Sequence, residues 1–215
     1  MFTTLTLVKS RRFYRKVISE VCEYKDFTYY SSRLFSNRKN NSKFIKRFEK
    51  RAEIPVIEPN SPIVFKYKMI VLANTVMLRT YKNVGIYDKE GVLSFLLPFI
   101  SKNSGVISIF TENADAYTNM EDELFALYGT PMLISDKISQ LSECNIIFAL
   151  ELPNALKNNN IFTIADTENR EFELPFPYPD YACKFSIAAG LFYYGGYREF
   201  GKLAFKEEVT KPPRL

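Results

Sequence analysis

The segments Val84-Gly-Ile-Tyr-Asp88 and Val106-Ile-Ser-Ile-Phe-Thr111 decide the fold, because both are short apolar strands and a helical stretch, Gly91 to Ser101, lies between them. The residues that follow continue this alternation. They predict a helix over Asp115 to Tyr128 that ends at Gly129, a short helix over Asp136 to Glu143, and strands at Pro131 to Ser135, Asn145 to Leu150 and Ile161 to Ala165. Strands that alternate with helices over short loops form a parallel sheet with helices on both faces.

The predicted fold class is therefore α/β, a Rossmann-like doubly wound parallel sheet of about five strands. The continuous apolar run Ile146-Ile-Phe-Ala-Leu150 is typical of a strand that is buried on both faces, and right-handed crossovers generate the doubly wound arrangement. The resemblance to a Rossmann-type domain is architectural, since no Gly-rich fingerprint follows the first strand.

Acidic residues follow the strands at the edge where such sheets bind their ligands. Asp88 and Gly91 come after the first strand, and Glu112 comes after the second, 24 residues beyond Asp88, near the position of a ribose-binding acid. These three residues are the candidate cofactor-binding set of a divergent nucleotide- or NAD(P)-binding enzyme. Only one glycine stands where the fingerprint has three, and a helix cap or a solvated acid is the simpler interpretation of Glu112 and Asp136.

Few catalytic chemistries fit the composition. The chain has no histidine, which excludes Ser-His and Cys-His pairs, and it has no phosphate-binding loop and no nucleophile elbow. Carboxylates at Asp88, Glu112 and Asp136 are of the type that holds Mg²⁺, but the last strand lacks the lysine of phosphoryl-accepting folds. The sequence therefore predicts no catalytic residue, no metal site and no cofactor, and it favours a protein that is not an enzyme.

The N-terminal part is strongly basic. Residues 1–52 carry 14 lysines and arginines against four acids, a net charge of +10, while residues 53–215 carry 15 against 20, a net charge of −5. Spacings of three and four residues predict amphipathic helices over 11–25 and 42–52, with a loop over 31–41 between them. The candidate anion- or partner-binding residues are Arg11, Arg12, Arg15, Lys16, Lys43, Lys46, Arg47, Lys50 and Arg51.

Three prolines within residues 54–62 indicate a connector. The predicted domains are thus a basic helical N-terminal segment over 1–53, the Pro-rich connector over 54–62, and the α/β body over 63–215. Ile63 to Leu72 is predicted to begin that body as a strand or strand pair. The nearly apolar helix Tyr181 to Tyr194 ends it, either in the core or in a dimer interface.

The cysteines and the lengths of the apolar runs bear on where the protein is located in the cell. The three cysteines are far apart and suggest neither disulfides nor zinc. No apolar run approaches the length of a membrane-spanning helix, and no secretion signal is evident. These observations predict a cytoplasmic protein without a membrane partner. The Asn- and Lys-rich composition is typical of an AT-rich, bacterial genome.

Three functions remain after these exclusions. The favoured hypothesis is a non-enzymatic association or scaffold protein that binds itself or another protein through the basic N-terminal segment. The divergent nucleotide-binding enzyme is the first alternative. The second is nucleic-acid binding by residues 9–51, because a basic region interleaved with aromatic rings is the expected footprint of such proteins.

Overall fold

The computed structural model describes residues 1–11, 15–153, 156, 160–168, 170–198 and 202–204. The chain divides into two compact units, Met1–Tyr67 with Phe172–Lys202, and Lys68–Glu171 with Leu203–Leu215. The strands are β1 (Thr3–Lys9), β2 (Lys16–Tyr24), β3 (Phe27–Ser36), β4 (Val56–Ile57), β5 (Tyr81–Tyr87), β6 (Ser104–Phe110), β7 (Met132–Ser135), β8 (Ile146–Ala149), β9 (Ile161–Phe162), β10 (Glu171–Glu173) and β11 (Lys202–Ala204). The α-helices are α1 (Ser42–Ala52), α2 (Pro62–Val76), α3 (Leu97–Ile100), α4 (Asp115–Tyr128), α5 (Ala165–Glu168) and α6 (Lys184–Tyr194).

The second unit contains a five-stranded parallel sheet in the order β7-β6-β5-β8-β9. Counted along the chain, this is the order 3-2-1-4-5 of a Rossmann-like doubly wound sheet. The α/β fold class predicted from the sequence is therefore confirmed. The buried strand centres, among them Ile86, Ile109 and Phe148, supply the core.

The connections of this sheet differ in length. Helix α4 joins β6 to β7 over the predicted residues, and it ends where Gly129 adopts a left-handed conformation with φ of 67°. Between β5 and β6 the chain forms only α3, flanked by two single 3₁₀ turns. Between β7 and β8 it forms a six-residue 3₁₀ segment, Ile138–Glu143. The predicted helix over 91–101 is thus much shorter in the structure.

The first unit contains a four-stranded sheet in the order β2-β3-β1-β4. Strand β3 pairs in parallel with β1 and antiparallel with β2, and β4 pairs in parallel with β1. Helix α1 packs on this sheet, where Ile45 meets Leu5 and Leu34 in one buried cluster. Helix α6 packs against β1 and β4, and its Gly190 lies under the ring of Phe2.

The helix predicted over residues 11–25 is wrong, because Lys16–Tyr24 is strand β2. Val17 and Val21 are four residues apart, and an even spacing places residues on one face of a strand as well as on one face of a helix. β-Branched side chains favour the strand, and a tight turn at Lys25, with φ of 53°, pairs it with β3. The predicted loop over 31–41 is correspondingly shorter, since β3 extends to Ser36.

The strand predicted over Ile63 to Leu72 is also wrong, since these residues belong to helix α2. Seven consecutive positions from Tyr67 to Ala73 include six buried apolar side chains. A helix that is apolar nearly all round shows no clear period of 3.6 residues, and a short run of this kind does not distinguish a helix from a strand. Proline at the first helical position, here Pro62, is the signal that marks the start.

The N-terminal segment predicted to be helical over 1–53 is mainly a β-sheet, and α1 is its one helix in the described residues. The predicted connector over 54–62 contributes strand β4 to this sheet. The C-terminal helix belongs to the same unit rather than to a body over 63–215, because Phe172–Lys202 clusters with Met1–Tyr67. Its residues Ser186 to Phe192 are buried there, which agrees with the core interpretation. No helix within the described ranges combines the length and the apolar character that a bilayer crossing requires.

Candidate functional site

The turn that follows β5 lies at the carboxyl edge of the parallel sheet and contains Asp88. The side chain of Asp88 is buried, with 1% of its surface exposed. One carboxylate oxygen, Oδ1, accepts the backbone N–H of Gly91 at 3.1 Å. The other, Oδ2, accepts the N–H of Leu93 at 2.6 Å and the phenol of Tyr117 at 2.5 Å. Asp88 therefore closes its own turn with two hydrogen bonds and accepts a third from helix α4.

Tyr117 reaches this turn from the first turn of α4. Its side chain is fully buried. Burial raises the pKa of the Tyr117 phenol, and the hydrogen bond to the Asp88 carboxylate raises it further. The phenol therefore stays protonated and acts as a donor. No sequence signal points to this residue, because Tyr117 lies 29 positions beyond Asp88 and no local pattern joins the two.

Backbone and amide contacts hold the Asp88 turn against the loop after β6. The N–H of Glu112 donates to the carbonyl of Lys89 at 3.0 Å, and the Asn113 amide donates to the carbonyl of Glu90 at 3.1 Å. Gly91 is left-handed, with φ of 81°, and a Cβ atom there would lie 2.4 Å from Cβ of Ala116. The three predicted cofactor residues thus lie on two loops that contact each other. Asp88 and Gly91 shape the turn, while Glu112 is exposed.

This arrangement differs from a dinucleotide site in its chemistry. There, free backbone N–H groups at a Gly-rich turn and helix start receive the pyrophosphate. Here the N–H groups of Gly91 and Leu93 already bond to a carboxylate, and the helix that follows is only four residues long. A phosphate at this turn would meet the negative charge of Asp88.

Metal and nucleophile chemistry gains no support from the described part of the chain. No group of three His, Cys, Asp or Glu residues there could hold a metal ion, so Asp88, Glu112 and Asp136 do not form a cluster. Burial raises the pKa of the thiols of Cys22 and Cys144, which lowers the fraction of reactive thiolate at neutral pH.

A groove of about 540 Å³ lies on one face of the parallel sheet, under the 3₁₀ segment between β7 and β8. The groove is open at Leu133 of β7, which is exposed, whereas Ser108 of β6 is buried. The groove is lined by Asn83, Val106, Ser108, Leu133, Ser135, Lys137, Ser139, Gln140, Ser142 and Glu143. The Gln140 side-chain amide in this groove donates to the carbonyl of Ile109 at 2.7 Å and thereby attaches the 3₁₀ segment to strand β6.

The first unit carries ten exposed cations near one end of its sheet and along helix α1, which together we call the basic surface. Strand pairing brings together the end of β1, the start of β2 and the loop after β3, because Ser10 N–H donates to the Ser36 carbonyl at 3.1 Å and Lys16 lies opposite Phe35. Helix α1 starts from that loop. The basic surface consists of Lys9, Arg11, Lys16, Arg38, Lys39, Lys43, Lys46, Arg47, Lys50 and Arg51, all of them exposed.

Arg15 holds the loop before α1. Its guanidinium donates to Oδ1 of Asn41 at 3.1 Å and to the carbonyl of Asn40 at 3.2 Å, and it lies over the ring of Phe44. Its role in binding an anion or a partner stays a prediction. Arg12, also predicted for the surface, lies outside the described residues. Arg38 and Lys39 were not predicted, although their place in a basic loop was a usable signal.

No protein-family model matches the chain, and no curated protein matches it in sequence. Among solved structures, the chain is similar to the Delta(1)-pyrroline-2-carboxylate reductase of Thermococcus litoralis in complex with NADH and L-proline (TM-score 0.33, 11% identity, 44% of this chain and 31% of that one). It is also similar to a lysine cyclodeaminase (0.31, 9%, 50% and 32%) and to the iminosuccinate reductase of Paracoccus denitrificans in complex with NAD+ (0.33, 12%, 64% and 51%). The matched region spans about a third to a half of the length of these structures, and at such identities the similarity concerns the fold alone.

Proposed function

We propose that this chain is a non-enzymatic association protein, in which the Rossmann-like unit is a structural body and the basic surface of the other unit is the contact for a partner. The observation that carries the proposal is the closed turn at Asp88. A binding site for phosphate needs free donors, and here Gly91, Leu93 and Tyr117 all donate to one buried carboxylate.

Opening the closed turn would be energetically costly. A ligand that took the N–H groups from Asp88 would leave a buried carboxylate with fewer partners. Each hydrogen bond to a charged group contributes about 1.5–3 kcal/mol, and a buried charge without partners costs more. The exposed Glu112 does not compensate, because a second acid beside the turn adds repulsion toward phosphate.

The basic surface supports the association role. It gathers ten exposed cations on one unit, and a surface of one charge sign attracts partners of the other sign and speeds their encounter. Both a second copy of this chain, with its net acidic residues 53–215, and another anionic partner meet that requirement.

The test combines native mass spectrometry of the freshly purified protein with calorimetric titration of NAD+, NADP+ and ATP at millimolar concentration. The proposal expects a ligand-free protein and no saturable heat. A retained nucleotide, or binding that Glu112→Ala weakens, would overturn it and support the divergent enzyme instead. Asp88→Asn is the companion to Glu112→Ala. It perturbs the closed turn and leaves the exposed carboxylate of Glu112 unchanged.

The mass of the assembly in solution, measured by light scattering, identifies self-association. Lys43→Glu/Arg47→Glu/Arg51→Glu reverses one row of the basic surface, and Lys82→Glu/Lys102→Glu/Lys137→Glu makes the same charge change at exposed lysines of the other unit. A multimer that the first variant dissociates and the second does not would make a second copy the partner.

A further inference from the structure

We infer that the basic surface binds the phosphate backbone of double-stranded nucleic acid, without regard to sequence. The inference rests on the proposed function and deepens it, because it names the partner of the association protein. Its starting point is that two separate basic stretches, residues 9–16 and 38–51, meet where the strands β1 and β3 end and β2 begins. The second stretch continues along α1.

The charge of the basic surface is not neutralised locally. Residues 1–19 contain five lysines and arginines and no acid, and residues 27–48 contain six and no acid. The acid that follows in α1, Glu49, is half-buried and accepts the N–H of Val56 at 3.2 Å. None of the ten cations has an ion-pair partner among the residues that the structure describes. Arg33, in contrast, pairs with Glu20 at 3.0 Å, away from this edge. An ordinary solvated surface mixes both signs of charge, so this edge is built for an anionic partner.

The backbone beneath these cations is fixed. Asn41 accepts the hydroxyl of Ser36 at 2.8 Å and donates to the carbonyl of Arg38 at 3.1 Å, while Asn40 accepts the N–H of Ser42 at 2.9 Å. Arg15 braces the same loop from β2. Arg38 and Lys39 therefore project from a loop that is already ordered. Binding loses less free energy when the binding segment needs no further ordering.

The spacing along α1 suits a polyanion. Lys43, Arg47 and Arg51 follow one another every four residues, about 6 Å apart along the helix axis, and Lys46 and Lys50 form a second row beside them. The row spans about 12 Å, whereas each strand of a duplex carries a charge about every 3.4 Å. One row can therefore contact several phosphates of one backbone at the same time.

The composition of the surface favours nucleic acid over a protein or a membrane. Protein interfaces have an apolar core and are depleted in lysine, yet no large apolar side chain is exposed between residues 36 and 52. A membrane-bound helix inserts its apolar face into lipid, but Ile45 and Phe44 of α1 pack on the sheet. Binding of single strands depends on exposed aromatic platforms, and along residues 36–52, which the structure describes throughout, no large aromatic side chain is exposed. This part of the basic surface therefore favours a duplex.

The experiment measures fluorescence anisotropy of a labelled DNA duplex of about 20 base pairs of arbitrary sequence, titrated with the full chain over a range of salt concentrations. The inference expects binding at low salt that weakens steeply, because each phosphate contact contributes a slope of about −0.9 in log K against log salt. A second duplex of unrelated sequence should bind equally, and the matching single strand more weakly.

Two variants make the test specific. Lys43→Gln/Arg47→Gln/Arg51→Gln should lower affinity at least tenfold and reduce the magnitude of the salt slope by about 3, and Arg38→Gln/Lys39→Gln should reduce it by about 2. Lys82→Gln/Lys102→Gln/Lys137→Gln removes the same charge from the other unit and should change neither value. Because all these residues are exposed, circular dichroism and melting should remain those of the wild type.

Several outcomes would overturn the inference. These are undetectable binding at low salt, binding that salt does not weaken, and equal losses in the surface and control variants. If the glutamate row variant dissociates a multimer while no duplex binds, the partner is a second copy and the association proposal stands alone. If a nucleotide is retained in native mass spectrometry, the non-enzymatic proposal fails whatever the duplex result.

Discussion

At the residue scale, Asp88 shows how a position predicted for ligand binding became part of the fold. Asp88 and Gly91 lie at the carboxyl edge as predicted, and their closeness to Glu112 follows from strand order. The carboxylate itself, however, already accepts hydrogen bonds from Gly91, Leu93 and Tyr117. The sequence alone could not reveal this, because the donor Tyr117 lies in another element. Whether the Asp88 carboxylate binds a ligand or stabilises its turn also depends on burial, which the sequence does not show.

Asp88→Ala should destabilise the protein by about 3 kcal/mol or more, because it leaves three donors, two of them buried, without their acceptor. Tyr117→Phe removes one of those donors and should cost about 2 kcal/mol. Urea unfolding of each variant measures the change in free energy. Glu112→Ala is the matched control on the neighbouring loop and should stay within about 0.5 kcal/mol. Equal stability of Asp88→Ala and the wild type would contradict the structural role.

At the element scale, Gly190 determines how closely α6 approaches the N-terminal sheet. A Cβ there would lie 2.2 Å from Cε2 of Phe2, and Phe2 cannot move away because it is fully buried and stacked on Tyr29 at 5.2 Å. Gly190→Ala should therefore destabilise by about 1–3 kcal/mol, despite the better helix propensity of alanine.

Adding Phe2→Leu to Gly190→Ala should recover part of that loss, since the smaller side chain vacates the space for the methyl group. Melting temperatures of the two single variants and the double variant form a thermodynamic cycle. Strictly additive effects would show that the two residues do not share this contact.

Strand β2 offers a second test at this scale. Val17 packs against the cluster of Leu5, Leu34 and Ile45, whereas Val21 is 64% exposed. Val17→Asn should cost about 1–2 kcal/mol, and Val21→Asn should stay within about 0.5 kcal/mol. The amphipathic helix predicted over 11–25 would bury both valines on one face, so similar losses in chemical denaturation would favour that helix.

The elements differ in how far the sequence could predict them. Helix α4 was predicted to the residue, because an acidic first turn and Gly129 mark its ends. The parallel strands were predicted because they are short, apolar and regularly separated. Strand β2 and helix α2 were not predicted. The even spacing of Val17 and Val21 and the uniform apolar run in α2 are each compatible with both a helix and a strand. The pairing of α6 with β1 is a long-range contact that no local pattern contains.

At the scale of the whole molecule, buried tyrosines should make stability fall in alkali. Burial raises the pKa of Tyr29, Tyr67 and Tyr117 above the ordinary value of 10. Above pH 10 the unfolded chain releases these phenolic protons while the folded chain keeps them. The unfolded state then binds fewer protons, so the stabilising contribution is complete below pH 10 and declines as pH rises.

Each such tyrosine should contribute a slope of about 1.4 kcal/mol per pH unit above pH 10. Urea midpoints measured at several alkaline pH values give the total slope, and Tyr67→Phe should reduce it by one such contribution. Tyrosinate absorbance should rise in a late phase together with unfolding. A slope unaffected by Tyr67→Phe would mean that Tyr67 titrates alike in both states.

The first unit is assembled from two stretches that are far apart in the sequence, Met1–Tyr67 and Phe172–Lys202. On the ribosome, strands β1 to β3 are made before Lys68–Glu171, whereas α6, the helix that covers Phe2, is made after it. The nascent sheet must wait, with its apolar face uncovered, while Lys68–Glu171 is made. At elongation rates of about 5–20 residues per second this delay lasts for several seconds. Chaperone engagement of the nascent strands β1 to β3 is the expected consequence of this chain order.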